Sequence, residues 1–301
     1  MEGRSIEKAR KIISYVADKT KPTVLRYQEK FSDLDRVFIR RGYEQGGFEI
    51  FKLTPLLETQ GIFSIDKIGS ILDTYAGEKK YNRQEQGSLQ SIFYQDAKGG
   101  LFGLEGTKFY ECVGSFLERR IGNPGAFFWL KLWQMLVCLN HLKTNYNASF
   151  VFYLRKKYAE FKKVASISDA QLLSIGTEEW GRFKREQKPW AELLGIGENV
   201  FDFIVRDIAE FEFASDSYKL DSANSYFLKV TGLQKLVYPD FSRESVVAFL
   251  RKLELPFTLG QINAAIYTYC SRTEARGYGF CRSAAKCRDC GVNDVCERAI
   301  E

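Results

Sequence analysis

The strongest constraint on this chain lies in its tail. Residues 281–296 read CRSAAKCRDCGVNDVC, which places four of the seven cysteines within sixteen residues. A segment so short and so poor in apolar residues has little core of its own, so the thiols must supply what packing cannot. Cys281, Cys287, Cys290 and Cys296 form a C-x5-C-x2-C-x5-C pattern, and the central C-x2-C lets two thiolates face one centre from a single turn. Four soft donors select zinc or an iron–sulfur cluster. One close pair flanked by single cysteines on either side favours a [4Fe-4S] cluster over the two separated pairs of structural zinc sites, and zinc stays open as the alternative. The other cysteines, Cys112, Cys138 and Cys270, stand among apolar neighbours and read as buried thiols of a reducing compartment, which argues against disulfides.

The loop residues Arg282, Lys286 and Arg288 admit two uses. They can neutralise a thiolate-rich site, or they can face outward to phosphates with the cluster as a rigid mount. A net charge of +6 fits a polyanion partner and also fits many proteins that meet none. The most apolar stretch, 126–139, is interrupted by Lys131 and Gln134, and the first residues have no apolar signal core. The expectation is a cytoplasmic protein with no membrane segment, associated with the nucleoid if prokaryotic, and monomeric.

Apolar residues recur at three- and four-residue spacing through the 301 residues, and alternating strand patterns are scarce, so the fold class is mainly α. Ser168 and Gln171 form a capping box. Val200, Phe203, Ile204 and Ile208 mark one helical face, and Val246, Phe249, Leu250 and Leu253 another. Segments 64–75 and 109–120 read as amphipathic helices, and 7–21 as a helix with a basic surface. The glycine-rich patch at 99–106, followed by IGNPG at 121–125, is the expected seam, dividing the chain into 1–120, 121–240 and 241–301.

Between two helical runs stands Leu193-Leu194-Gly195-Ile196-Gly197, where glycines two apart permit a sharp turn and bring bare backbone amides to a helix start. Such a turn can hold a phosphate without reading sequence, although many helix pairs join through glycine with no ligand at all. Further on, Asp221 precedes a helix carrying Tyr226, Phe227 and Val230, and an ordinary N-cap explains such an aspartate equally well.

The order of these features is more informative than any one of them. A glycine hairpin, an aspartate at a helix start, two further helical runs and a four-cysteine tail, over about residues 125–297, resemble the helix-hairpin-helix DNA glycosylase superfamily, in its endonuclease III-like branch with a [4Fe-4S] cluster. The family hairpin is Leu-Pro-Gly-Val-Gly, and this chain has leucine in place of proline. The family segment Val-Asp-Thr-His corresponds to Leu220, Asp221, Ser222 and Ala223, where only the aspartate is kept. The family's first cysteine loop is one residue longer.

The resemblance implies a two-domain glycosylase fold with a C-terminal cluster loop, whose cluster-bearing domain is formed by both chain ends. It implies a double-stranded DNA partner with a flipped-out base, backbone contacts at Gly195, Ile196 and Gly197, and Asp221 as the catalytic carboxylate. Bifunctional relatives carry a Schiff-base lysine two residues after the hairpin; Asn199 stands there, which implies a monofunctional enzyme unless Lys188 or Lys219 reaches the sugar. Asn140 and His141 lie where such enzymes draw a duplex plug or base contact, though a structural role for His141 fits its surroundings as well. The alternative to an enzyme is a DNA-binding module of the same fold that has lost its chemistry.

Overall fold

The computed structural model describes residues 2–24, 29–43, 50–73, 107–119, 125–215, 218–270 and 278–298. These residues are mainly helical, as the apolar spacing requires. Among them no strand forms, and the one isolated bridge joins Glu29 to Ile208. No helix among them is long and apolar enough to cross a membrane. The glycine-rich patch lies outside the described residues.

Two compact units divide the chain at 28/29 and 210/211 rather than at 120 and 240. One unit joins residues 1–28 to 211–301, and the other is continuous from 29 to 210. The first division follows from the long N-terminal helix α1 (Glu2–Val24). Its buried residues Ala9, Ile12, Ile13, Val16 and Ala17 repeat at three- and four-residue steps, and they share a core with C-terminal helices rather than with their sequence neighbours.

The continuous unit contains α2 (Leu34–Tyr43), α3 (Ile50–Thr59), α4 (Ile65–Gly69), α5 (Lys108–Glu118), α6 (Gly125–Asn145), α7 (Phe150–Lys162), α8 (Asp169–Leu173), α9 (Thr177–Gln187) and α10 (Glu198–Arg206). The capping box at Ser168 and Gln171 forms as expected. Of the run at 64–75, the described residues 64–73 make the single turn of α4 and a 3-10 turn, whereas the described residues of 109–120 belong to α5 and its C-terminal end. On α10 the buried residues are Phe201, Ile204 and Val205, with Ile208 just beyond. Val200 and Phe203 are only partly buried, and the Phe203 ring carries the guanidinium groups of Arg41 and Arg206.

In the unit made from both ends, α1 is joined by α11 (Glu212–Ser215), α12 (Ser222–Val230), α13 (Arg243–Lys252), α14 (Leu259–Tyr269) and the one-turn α15 (Ala284–Arg288). Val246, Phe249, Leu250 and Leu253 are all buried, as their spacing predicts.

Candidate functional site

The cysteine loop is short of regular structure. Cys281 sits in a 3-10 turn, Cys287 in α15, and Cys290 and Cys296 in the turns that follow. One face of α1 holds it down at positions four apart. Lys11 pairs with Asp294 at 2.9 Å, the Tyr15 hydroxyl accepts the Gly291 amide at 3.1 Å, and the Lys19 carbonyl accepts the Tyr278 hydroxyl at 3.2 Å. Part of the basic surface of α1 is therefore spent inside its own unit, and Arg10 adds a bond to the Leu253 carbonyl at 2.8 Å.

All four tail cysteines line one pocket, with Ile12, Val16, Phe227, Tyr269 and Val292 among its walls. Every cysteine is a free thiol. The Tyr269 hydroxyl lies 3.0 Å from Cys290 Sγ, and burial, followed by this contact, pushes the phenol upward. Buried Cys270 hydrogen-bonds Cys281. Among the described residues no group of three or more His, Cys, Asp or Glu side chains is arranged as a metal site.

The three basic loop residues divide. The Arg282 guanidinium lies 3.5 Å from the Tyr226 ring centroid, and its Nε donates to the Cys270 carbonyl at 3.2 Å. Lys286 Nζ donates to the Tyr278 carbonyl at 2.7 Å. Arg288 is exposed, and among the described residues its guanidinium has no partner. The first two thus tie the loop to its own unit, and the third faces solvent.

Asp221 is the N-cap of α12, with extended backbone and its Oδ1 accepting the Asn224 amide N–H at 2.8 Å. The same Oδ1 accepts Asn224 Nδ2 at 3.1 Å. Among the described residues, these are its only side-chain hydrogen bonds, so Oδ2 lies outside the network. The asparagine three residues after this capping aspartate is a signal present in the sequence that helical periodicity does not bring out.

The glycine hairpin joins α9 to α10 in the continuous unit. α9 ends with Lys188 in the left-handed region, and Gly195 has φ +81, where a Cβ would come within 2.6 Å of Gln134 Oε1. Only glycine serves there. Gly197 is the N-cap of α10, with open space where its Cβ would stand. The turn is anchored through its carbonyls, that of Leu194 accepting the Tyr43 hydroxyl at 3.0 Å and that of Gly195 accepting Lys131 Nζ at 3.3 Å. Burial lowers the Lys131 pKa. Ile196 is fully buried and contributes packing. Among the described residues, the amides of Gly195 and Gly197 have no protein acceptor. Asn199 is exposed in the first turn of α10.

Asn140 and His141 belong to the same unit, on α6, and both are engaged there. Asn140 Nδ2 donates to the Gly69 carbonyl at 2.9 Å and to Asp73 Oδ1 at 3.1 Å. His141 lies edge-on to Tyr146, with Asn145 Nδ2 3.1 Å from its Nδ1 and Glu192 Oε2 3.8 Å from its Nε2; burial lowers its pKa. Glu192, just before the hairpin, accepts the Tyr146 hydroxyl at 2.8 Å and pairs with Lys157. Burial works against its charge, but the hydrogen bonds from Lys157 and Tyr146 hold the carboxyl below its usual range. This group fastens the hairpin's entry to α6 and α7, and no pattern in the sequence announces it.

No family model, curated protein or solved structure matches this chain.

Proposed function

We propose that this protein is a monofunctional DNA glycosylase of the helix-hairpin-helix kind, which releases a damaged or modified base from double-stranded DNA by hydrolysing its N-glycosidic bond. The observation that carries this reading is the pair of acceptor-free amides at Gly195 and Gly197, held on an anchored turn at the start of α10. Backbone N–H groups at a helix N-terminus favour a phosphate oxygen, and the contact carries no sequence information. Lys184, paired with Asp202 at 2.8 Å and within 3.8 Å of Glu198, offsets the carboxylates of that first turn.

The chemistry follows from charge. Breaking the N-glycosidic bond develops positive charge on the deoxyribose, and a fixed carboxylate opposite it lowers the barrier and can orient the attacking water. Asp221 takes this role. Its Oδ1 is committed to α12, which leaves Oδ2 for the reacting sugar. Asn199 supplies no amine for a Schiff base.

Four free thiols around one apolar-walled pocket fit a [4Fe-4S] cluster, held by Cys281, Cys287, Cys290 and Cys296. Bound there, it supplies rigidity to the loop and a mount for DNA contact, and no redox step is required by the hydrolysis. Zinc is the alternative occupant.

The test is base release from a panel of lesion-bearing and modified duplexes. The expected product is an intact abasic strand that breaks only after alkali, with no covalent complex trapped by borohydride. Trapping by the wild type would assign the lyase chemistry to Lys188 or Lys219. A second reading, favoured by the capping role of Asp221, is a DNA-binding module without chemistry. Tight binding with no release from any duplex would select it.

The loop residues give a separate expectation. Removing one side chain that neutralises a phosphate lowers the slope of log affinity against log salt by about one unit. Arg288→Ala is expected to lower the slope by that amount, and adding Arg282→Gln and Lys286→Gln to change it no further, because those two side chains already bond within the unit. A fall of about three units in the triple variant would show that both inward bonds open on DNA.

A further inference from the structure

Tyr218, Asn224 and Asn263 are buried in the core of the unit built from both chain ends, none of them more than 1% exposed. A buried amide is unfavourable unless its hydrogen bonds are made, and an apolar side chain of the same shape would serve packing as well. Their bonds converge on one place. Asn224 Oδ1 accepts the Tyr218 hydroxyl at 3.0 Å, while Asn224 Nδ2 donates to Asp221 Oδ1 at 3.1 Å and reaches the Asn263 carbonyl at 3.4 Å. Asn263 Nδ2 in turn donates to the Lys219 carbonyl at 2.7 Å, and Arg243 Nε to the Tyr218 carbonyl at 2.8 Å, fixing the length of chain that leads into Asp221.

The orientation of the Asn224 amide is decided by its partners. A carboxylate only accepts, so the NH2 group must face Asp221, and the hydroxyl of Tyr218, which can do either, donates to the oxygen. Helix capping does not require this arrangement. The cap bond is made by the backbone N–H of Asn224, and the side-chain bond is an addition that falls on the same oxygen.

We infer that Asn224 is a positioning residue which, with Tyr218 and Asn263 behind it, holds the Asp221 carboxylate in one orientation, Oδ1 anchored and Oδ2 presented to the reacting sugar. The inference rests on Asp221 being the carboxylate that acts in base release.

The test replaces the buried pair together, Tyr218→Phe with Asn224→Leu, so that no hydroxyl is stranded and the backbone cap bond survives. Affinity for DNA and the KM are expected to stay within about threefold, while single-turnover base release falls by about a hundredfold, as a displaced catalytic group does. In an Asp221→Asn background the same pair should cost nothing further, because it acts only through Asp221. An unchanged release rate, or a full further loss in that background, overturns the inference.

A second measurement is independent of activity. The 13C resonance of the Asp221 carboxyl, identified by its disappearance in Asp221→Asn, should move in the double variant. If the resonance moves but the wild type releases no base, the positioning role stands and the glycosylase reading fails. If the resonance does not move, the positioning role fails. Should the double variant not fold, Tyr218→Phe alone, which frees the Asn224 oxygen, gives the same two readings with smaller changes.

Discussion

Asp221→Asn is expected to reduce base release by about two to four orders of magnitude while leaving fold and DNA affinity intact. The separation follows from what each part of the side chain does. Asparagine caps helices as well as aspartate does, and its Oδ1 can accept the same Asn224 N–H, so α12 should keep its stability to within about a few tenths of a kcal/mol. The negative charge is what disappears. A carboxylate fixed before the reaction stabilises a sugar cation without reorganising at the moment of bond cleavage, and a neutral amide in its place cannot. Asp221→Ala is the contrasting variant, losing the charge and also about 1 kcal/mol of capping. Single-turnover release, thermal unfolding and binding to an uncleavable duplex give the three readouts. Full release by Asp221→Asn would return this residue to helix capping alone.

Legibility from sequence followed the locality of the interaction. The helices at 7–21 and 109–120 and the helical face of Val246, Phe249, Leu250 and Leu253 were visible because a three- and four-residue apolar repeat requires only neighbours, and the capping box at Ser168 needs only Gln171. The four cysteines were visible because their spacing lies within sixteen residues. Contacts across the chain could not be read this way. That α1 joins the C-terminal helices depends on matched apolar faces some 250 residues apart, those that carry Ile12 on α1 and Ile262 on α14 into one core, and an amphipathic pattern does not name its partner. The use of Glu192 to hold Tyr146 and Lys157 beside the hairpin is equally non-local, as is Tyr269 against Cys290. Phe203 lies on the helical face that periodicity marks but is only partly buried, because periodicity counts an aromatic ring as apolar and cannot foresee two guanidinium groups on its face. The inward turn of Arg282 onto Tyr226 has the same origin, since a charged side chain in a loop reads as solvated until the ring beneath it is known.

Anaerobically purified protein is expected to be yellow-brown and to carry about four irons per chain, and removing them should release the tail without unfolding the continuous unit. Residues 278–298 have one helical turn and a 3-10 turn, and among their side chains only Val292 is fully buried in the core. Their ties to α1 are the polar contacts of Lys11, Tyr15 and Lys19, and the ion pair between Lys11 and Asp294 is half-exposed and of little worth in water. With the thiols free and uncrosslinked, what offsets the chain entropy of ordering this segment is a few further contacts, Arg282 on Tyr226 and the Cys270 carbonyl, Phe280 stacked on Tyr269, and the exposed Lys235–Glu297 pair. Limited proteolysis of iron-depleted protein should therefore cut first within 278–298, and then expose α1 and α14 as the pocket walls Ile12, Val16 and Tyr269 lose their cover. Residues 29–210 form their own compact unit and should stay protected under the same conditions. Single Cys290→Ser and Cys281→Ser variants should reproduce the iron-depleted pattern, because each substitution removes both a proposed cluster ligand and the neighbour of Tyr269 or Cys270. Colourless protein holding one zinc, or a tail equally resistant with and without iron, would overturn the cluster assignment.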